Sequence, residues 1–378
     1  MRVRVVGRGP VALSFGLLLA RQGLAPDRIE LDTTRAALPP AMALRTLALS
    51  AGSWQLLGRI CAAPPAAPIE AIEVSLQGHA GRVRLGAAEQ AVPALGHVVR
   101  YPTLCDVLLE AAGPARFAEP DSFSTDDDLL IVHAEGDAGD DAEQREFAQS
   151  AIVAELTARA PEPGVAYERF TAEGPLAMLP LPEADRYALV WCCRPDHAQR
   201  RAAASDAAFA TELHAIIGPR WSIRRVETAR VAMPLRRRRR RRTVAGREVW
   251  IGNAAQALHP VAGQGFNLGL RDAFVLAAEI GRRPARPHHT HHTHHTHNTH
   301  NTHAARPTHA DRDAGAVLER YAQARRADRA RAIGLTDLLA RVFTIAPLQP
   351  AESVALAALD LHGGARSWLA RQMMFGVR

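Results

Sequence analysis

The sequence predicts an α/β fold in which one open unit is assembled from separated pieces and an antiparallel sheet is inserted between them. Three observations carry this. Near the N-terminus a short apolar strand, "RVRVVG", runs directly into a glycine turn and a helix, Leu13 to Arg21. Between Ala151 and Val231 short alternating runs ("SAIVAEL", "VAYERFT", "AMLPL", "YALVWCC") have the period of two expected of antiparallel strands. Far downstream "REVWIG" is again a strand, and the stretch from Gly252 to Leu276, "GNAAQALHPVAGQGFNLGLRDAFVL", is a glycine-rich loop leading into a helix. Its apolar residues Leu268, Ala273, Leu276 and Ala277 recur with helical spacing.

The first element carries a chemical signal. In "VVGRGPVALSFGLLLARQG", Gly7, Gly9 and Ala12 fill the G-x-G-x-x-G/A pattern between strand and helix. Gly7 makes the tight turn, Gly9 lets backbone approach a pyrophosphate, and Ala12 lets helix and strand pack closely. The helix N-terminus then faces the phosphate charge. The unit is therefore Rossmann-like. The second strand, "RIELD", should end in an acid that accepts ribose hydroxyls. Asp32 is the choice and Glu30 the alternative. Leu104 to Ala112 reads as a helix, and "DLLIVHAEG" as a strand running into a turn. The glycine-rich loop after Gly252 bares a second set of backbone N–H groups at a helix start. Beyond it, Val317 to Phe343 is helical, with Leu335, Leu338, Leu339, Val342 and Phe343 on one stripe.

These pieces give a domain plan. Positions 1–60, 96–150 and 244–345 form the discontinuous nucleotide-binding domain. Positions 61–95 and 151–243 form the sheet of a substrate domain, and 346–378 a C-terminal helical segment. The 378 residues, 47% of them apolar, can bury one large or two ordinary cores. No run of eighteen apolar residues predicts a membrane-spanning helix. The opening "MRVRVVGRGP" enters a strand at once, so no secretory leader is expected. Cys61, Cys105, Cys192 and Cys193 have neither framework nor metal-ligand spacing, which predicts reduced thiols in a cytoplasmic protein and no metal.

Two tracts stand apart. Arg236 to Arg242 are seven consecutive arginines, equal to the whole net charge of +7. A run confined to one place predicts a solvated hairpin or loop rather than a specific nucleic-acid surface. Positions 287–309, "PHHTHHTHHTHNTHNTHAARPTH", hold ten histidines. Imidazole ligates metals, but this tract has no apolar residues to fix a geometry. It predicts a disordered His/Thr-rich insert.

The N-terminal fingerprint and the late segment together resemble the aromatic hydroxylase class of FAD-dependent monooxygenases. The matching residues are Gly252, Asn253, Ala254, Ala255, Pro260, Gly263, Gln264, Gly265, Asn267, Gly269 and Asp272. Asn253 stands where most of the class has aspartate. "GNAAQALHP", "RTLALS" (Arg45 to Ser50), "YERFTAEGPLAMLPL" (Tyr167 to Leu181) and "GLTDLL" (Gly334 to Leu339) are similar to the ubiquinone-biosynthesis branch, the 2-polyprenyl-6-methoxyphenol hydroxylases. The resemblance spans nearly the whole chain outside the two tracts.

It implies an aromatic-hydroxylase-like fold, bound FAD, and NAD(P)H as a transient electron donor. It implies hydroxylation of a polyprenylated phenol with O2; the alternatives are a non-catalytic or weakened FAD-binding subunit of a ubiquinone-synthesis complex and a flavin hydroxylase of a soluble aromatic acid. The substrate's prenyl tail, with Arg325, Arg326, Arg329 and Arg331 beside an apolar stripe and "WLARQMMFG" at Trp368 to Gly376, predicts peripheral contact with the inner membrane face. The resemblance assigns FAD to Gly7, Gly9, Ala12, Asp32, Arg45, Gly252, Asn253, Gly263, Gln264, Gly265 and Asn267, with Arg45 at the phosphate or ribose region. His259 and Pro260 come near the flavin, Pro260 shaping the oxygen side. The flavin carries the chemistry, so no catalytic dyad or triad is expected. Two departures matter. Glu135 replaces the family's aspartate after "DLLIVHAEG", and "GPARFAEPDSFSTDD" is shorter than the family's link, which predicts a domain abbreviated on one edge.

Overall fold

The computed structural model describes residues 1–35, 37–113, 116–124, 128–136, 139, 141–282, 309–342 and 345–376. The histidine tract up to Thr308 lies outside the described residues.

The N-terminal strand Arg2–Val6 sits inside a five-stranded sheet ordered Val244–Ala245, Glu248–Trp250, Leu129–His133, Arg2–Val6, Ile29–Leu31. The last four run parallel, in registers that pair Val6 with His133 and His133 with Trp250. Their carboxyl ends therefore open on one edge, where α/β sheets bind ligands. Val3, Val5, Leu130, Val132 and Val249 are buried there with Leu13, Phe15 and Leu17 from the helix Pro10–Arg21. That helix packs on Tyr101–Ala112 and on the glycine-loop helix Gln264–Gly281. Beyond the three-residue edge strand Ile29–Leu31, the described residues add one bridge, Glu30 to Ala118. This is the short edge that the link predicted.

A nine-stranded sheet forms the second layer, built on the long strand Ala142–Arg159. Its strands are antiparallel except for Val165–Thr171 beside Ala71–Leu76. The expected boundary at 151 shifts, because Ala142–Arg159 begins earlier and Gln256–Ala257 joins the sheet after the expected end at 243. Within 61–95, Ala67–Ile69 pairs instead with Gly96–Arg100 in a three-stranded sheet completed by Thr46–Ser50.

The early part of Ala142–Arg159 was illegible for a physical reason. Its residues from Ala142 to Glu146 have no apolar face, because their partner strand is the arginine run. That run corrects the expectation of a solvated hairpin or loop. Arg236 to Arg240 belong to the strand Val231–Arg240, which bulges after Pro234 and pairs residue by residue with Ala142–Glu146. Acids receive the guanidinium groups. Arg239 and Arg241 meet Glu143 at 3.0 and 2.8 Å, Arg240 meets Asp141 at 3.0 Å, and Arg237 is bonded to Asp337 of the long helix His309–Val342. Arg240 also lies 3.9 Å over the Trp250 ring. A strand tolerates consecutive arginines when its neighbours alternate the opposite charge.

The long helix turns a different face inward than the leucine stripe indicated. Leu318, Tyr321, Ala332, Ile333 and Ala340 are buried, whereas Leu338 is exposed. Two further helices, Gln349–Leu361 and Gly363–Phe375, pack on the strand Arg82–Gly86 and on the helix Ala51–Leu57. No described helix is long and apolar enough to cross a membrane.

Candidate active site

At the carboxyl edge of the parallel sheet lies a trench of 910 Å³ lined by Gly7, Gly9, Asp32, Arg35, Tyr101 and Glu135. A second cavity of 340 Å³ lies between the glycine-rich loop and the large sheet. Met42 lines both, so the two adjoin at that side chain. An elongated cleft of this kind suits a dinucleotide whose reactive ring reaches the second cavity.

The trench is shaped by glycines. Gly7 has φ +120°, and a Cβ there would come within 2.7 Å of the Ala134 and Glu135 backbone. Gly9 caps the helix Pro10–Arg21, and a Cβ on it would find only the Tyr101 hydroxyl at 3.5 Å. Backbone N–H groups are thus open toward the trench at the positive end of a helix. Ala12 is fully buried behind them.

Geometry decides between the two acids of the second strand. Glu30 is buried and bonded to Arg4, Ser122 and the Phe123 N–H, so it closes the edge of the sheet. Asp32 lies in the trench, accepts from the Thr34 N–H at 2.9 Å and stands 3.7 Å from Arg8.

Arg45 lines the second cavity beside Asn253 and Gly263. Burial pushes its guanidinium below its ordinary value. Its described contacts are Met42 Sδ at 3.8 Å and the Tyr101 ring at 5.9 Å, and no described carboxylate makes an ion pair with it. A half-buried arginine stays charged and favours an anion or a set of acceptors. The phosphate and ribityl groups of FAD supply both, so the residues present fit the cofactor.

The glycine-rich loop is held from behind. Gly252 (φ +59°) donates to Asp272 Oδ2 at 3.2 Å, and Gly263 (φ +58°) precedes the helix Gln264–Gly281. Asn253, Pro260, Gly263 and Gly265 face the second cavity, while Gln264 is buried beside it. The Asn267 side chain holds the loop from within: its Oδ1 accepts from the Ser50 N–H, and its Nδ2 donates to the Ala48 and Gly263 carbonyls, each at 2.8 Å. Every polar atom of that amide is committed to pinning the loop.

His259 is also committed. Its Nδ1 accepts from the Val261 N–H at 3.2 Å, so its Nε2 carries the proton and donates to Gln149 Oε1 at 3.1 Å. Burial lowers its pKa from 6.5 to about 4. The unfolded chain therefore takes up a proton between about pH 6.5 and 4 that the folded chain refuses, and stability falls as pH drops through that window. The loss reaches about 3 kcal/mol near pH 4. Thermal unfolding of His259→Gln should show a shallower decline from pH 6.5 to 4 than the wild type.

Sequence reading missed Gln149, Met42 and Tyr101. Nothing local marks them, since each reaches the site through long-range pairing of strands or helices.

An α/β unit with a dinucleotide cleft, an inserted sheet, and a glycine-rich loop against an apolar cavity define the aromatic-hydroxylase class of flavoproteins. Positions 139–297 match a family model described as an FAD binding domain. Over 98% of its length the chain is 28% identical to ubiquinone hydroxylase UbiL of Rhodospirillum rubrum, covering 89% of that protein. It is 28% identical to the 3-demethoxyubiquinol 3-hydroxylase of Escherichia coli, over 72% of this chain and 78% of that one. The fold matches p-nitrophenol 4-monooxygenase PnpA from Pseudomonas putida with a TM-score of 0.71 at 15% identity, covering 100% and 98% of the two chains. The chain is an FAD-dependent monooxygenase.

Proposed function

We propose that this protein hydroxylates the aromatic ring of a polyprenylated phenol in ubiquinone synthesis, with NAD(P)H as electron donor and O2 as the oxygen source. The carrying observation is the wall of the second cavity, where Ala177, Leu179, Val190 and Cys192 present a small, apolar sheet face. Such a wall suits an isoprenoid-bearing ring, whose tail gains by leaving water for an apolar surface. The names of the Rhodospirillum and Escherichia relatives support the same substrate class.

When bound, FAD passes electrons from the nicotinamide to dioxygen and delivers one oxygen atom to the ring. The chain's residues hold and shield it. Gly7 and Gly9 offer backbone donors to the pyrophosphate, Asp32 accepts ribose hydroxyls, and Arg45 offsets phosphate charge. Gly263 and Gly265 admit the ring system, and Pro260 forms a wall beside it. Incubation with NAD(P)H and 18O2 tests the reading. Prenylated phenols should stimulate NAD(P)H oxidation and gain one labelled oxygen; turnover of 4-hydroxybenzoate with none on the prenylated phenol overturns it.

The same substrate calls for contact with a bilayer. The C-terminal helices expose Val354, Leu361 and Trp368, the last two at 84% and 63%. Burying side chains of this size contributes about 2 kcal/mol each. Arg325 and Arg329 point inward to Asp272 and to Gln256, while Arg326 and Arg331 are exposed. The exposed apolar side chains carry the insertion, and these two arginines add to it. In vesicle flotation the protein should bind in moderate salt, and Leu361→Ser with Trp368→Ser should release it. A protein that stays unbound at low salt ends this proposal.

A further inference from the structure

Glu135 is one of the positions where the sequence departs from the pattern it resembles, and the structure gives its carboxylate a partner. The carboxylate lines the trench directly after the backbone that Gly7 packs against. His133, two residues earlier, ends the strand Leu129–His133, fixed by Ala134 N–H to Val6 O at 2.8 Å and Ile251 N–H to its own carbonyl at 2.9 Å. Its ring stands between two acids. Nδ1 is 3.4 Å from Glu135 Oε1, and Nε2 is 2.9 Å from Glu248 Oε2. Only the imidazolium donates from both nitrogens at once. The ring is also stacked on Trp250, with centroids 4.7 Å apart and planes 5° from parallel, and Trp250 in turn carries Arg240.

We propose that His133 is a positioning residue for the cofactor: as an imidazolium it holds the Glu135 carboxylate and offsets its charge, so that the turn at Gly7 accepts a pyrophosphate. The proposal rests on the reading that this turn holds the FAD phosphates. Without His133, a carboxylate one methylene longer than aspartate would stand uncompensated beside an anion. Burial opposes the charged ring, yet the bonds to Glu135 and Glu248 raise its pKa above the ordinary 6.5. The sign follows. A bound pyrophosphate adds negative charge near the ring, raises its proton affinity further, and so FAD binds more tightly at the pH where His133 is protonated. The other groups facing this corner are Glu135, Glu248, Arg240 through Trp250, and Asp32 with Arg8. Tyr101 and Cys105, farther along the trench, are pushed by burial to about 12 and about 11. Among these described groups, His133 is the one whose surroundings raise its pKa from near neutrality.

The test is the dissociation constant of FAD for the apoprotein, from quenching of flavin fluorescence at fixed ionic strength. From pH 6 to 9 the wild type should weaken about tenfold, one pKa unit of coupling. His133→Gln should bind at every pH like the wild type at pH 9, with less than about twofold variation. His133→Gln with Glu135→Gln should recover the tight value without regaining the pH dependence. Glu248→Gln, remote from the trench, should lower the pH at which the wild-type transition occurs. A flat wild-type profile, or a wild-type profile in His133→Gln, overturns the proposal. Gly9→Val separates the two readings: if it keeps FAD, the phosphates lie elsewhere; if it loses FAD while His133→Gln changes nothing, the turn stands and the role of His133 falls.

Discussion

Gly9→Val is expected to yield a folded, colourless protein. The fold has room for the substitution, since a Cβ at Gly9 meets only the Tyr101 hydroxyl at 3.5 Å, an ordinary contact. The space the valine would fill is the approach of a pyrophosphate to the helix N-terminus. Pushing the phosphates away weakens the N–H contacts and adds overpacking, together about 3 kcal/mol or roughly 100-fold in affinity. The neighbouring glycine gives the contrasting result. Gly7→Ala places a Cβ within 2.7 Å of three backbone atoms at φ +120°, so the sheet or the turn must yield. Its effect should appear in the apoprotein, as a loss of about 3 kcal/mol in denaturant unfolding. The two glycines of one motif thus separate by assay. Gly9→Val should keep the wild-type unfolding midpoint and lose flavin on gel filtration, and Gly9→Val eluting with stoichiometric FAD refutes the assignment.

How much of this was legible depended on whether a residue's role was local. The turn at Gly7, the cap at Gly9 and the loop from Gly252 are backbone features written in a few consecutive residues, and their positions could be read directly. The sheet from Val165 to Cys193 was legible because one apolar face repeats every second residue. The arginine strand was not, because its alternation is one of ion pairs with Asp141, Glu143 and Asp337, and those partners come from distant segments. Asn267 shows a subtler limit. Its place in the motif was read correctly, but an amide has the same spelling whether it meets a cofactor or ties Ser50 to Gly263. Arg325 of the long helix was legible as a charge, but its inward direction was not, because it is set by Asp272 on another helix.

That pairing yields the largest expected loss of stability. Arg325→Met should lower unfolding free energy by about 3–5 kcal/mol, the range for removing one partner of a buried ion pair. Arg325 is nearly inaccessible, and its Nε donates to Asp272 Oδ1 at 2.8 Å while its Nη1 lies 2.7 Å from Asp328 Oδ2. Asp272, with no exposure, also accepts from the Gly252 N–H and from Gln256 Nε2 at 2.8 Å. Asp328 retains Arg271 at 2.8 Å. Methionine fills most of the volume, so the loss comes from the stranded carboxylate of Asp272 rather than from a cavity. Asp272→Asn alone should cost less than Arg325→Met, because the amide oxygen can still accept from Gly252 or Gln256 while Arg325 keeps Asp328. In the double variant the two losses should fall short of their sum by 1 kcal/mol or more, the coupling expected of residues in contact (about 0.5–3 kcal/mol). The consequence reaches the flavin loop. Gly252 is held at its positive φ by the carboxylate that Arg325 orients, so Arg325→Met should also speed FAD dissociation. Additive losses in the cycle, or an unchanged unfolding midpoint in Arg325→Met, would show that the long helix is held by its apolar face and not by this pair.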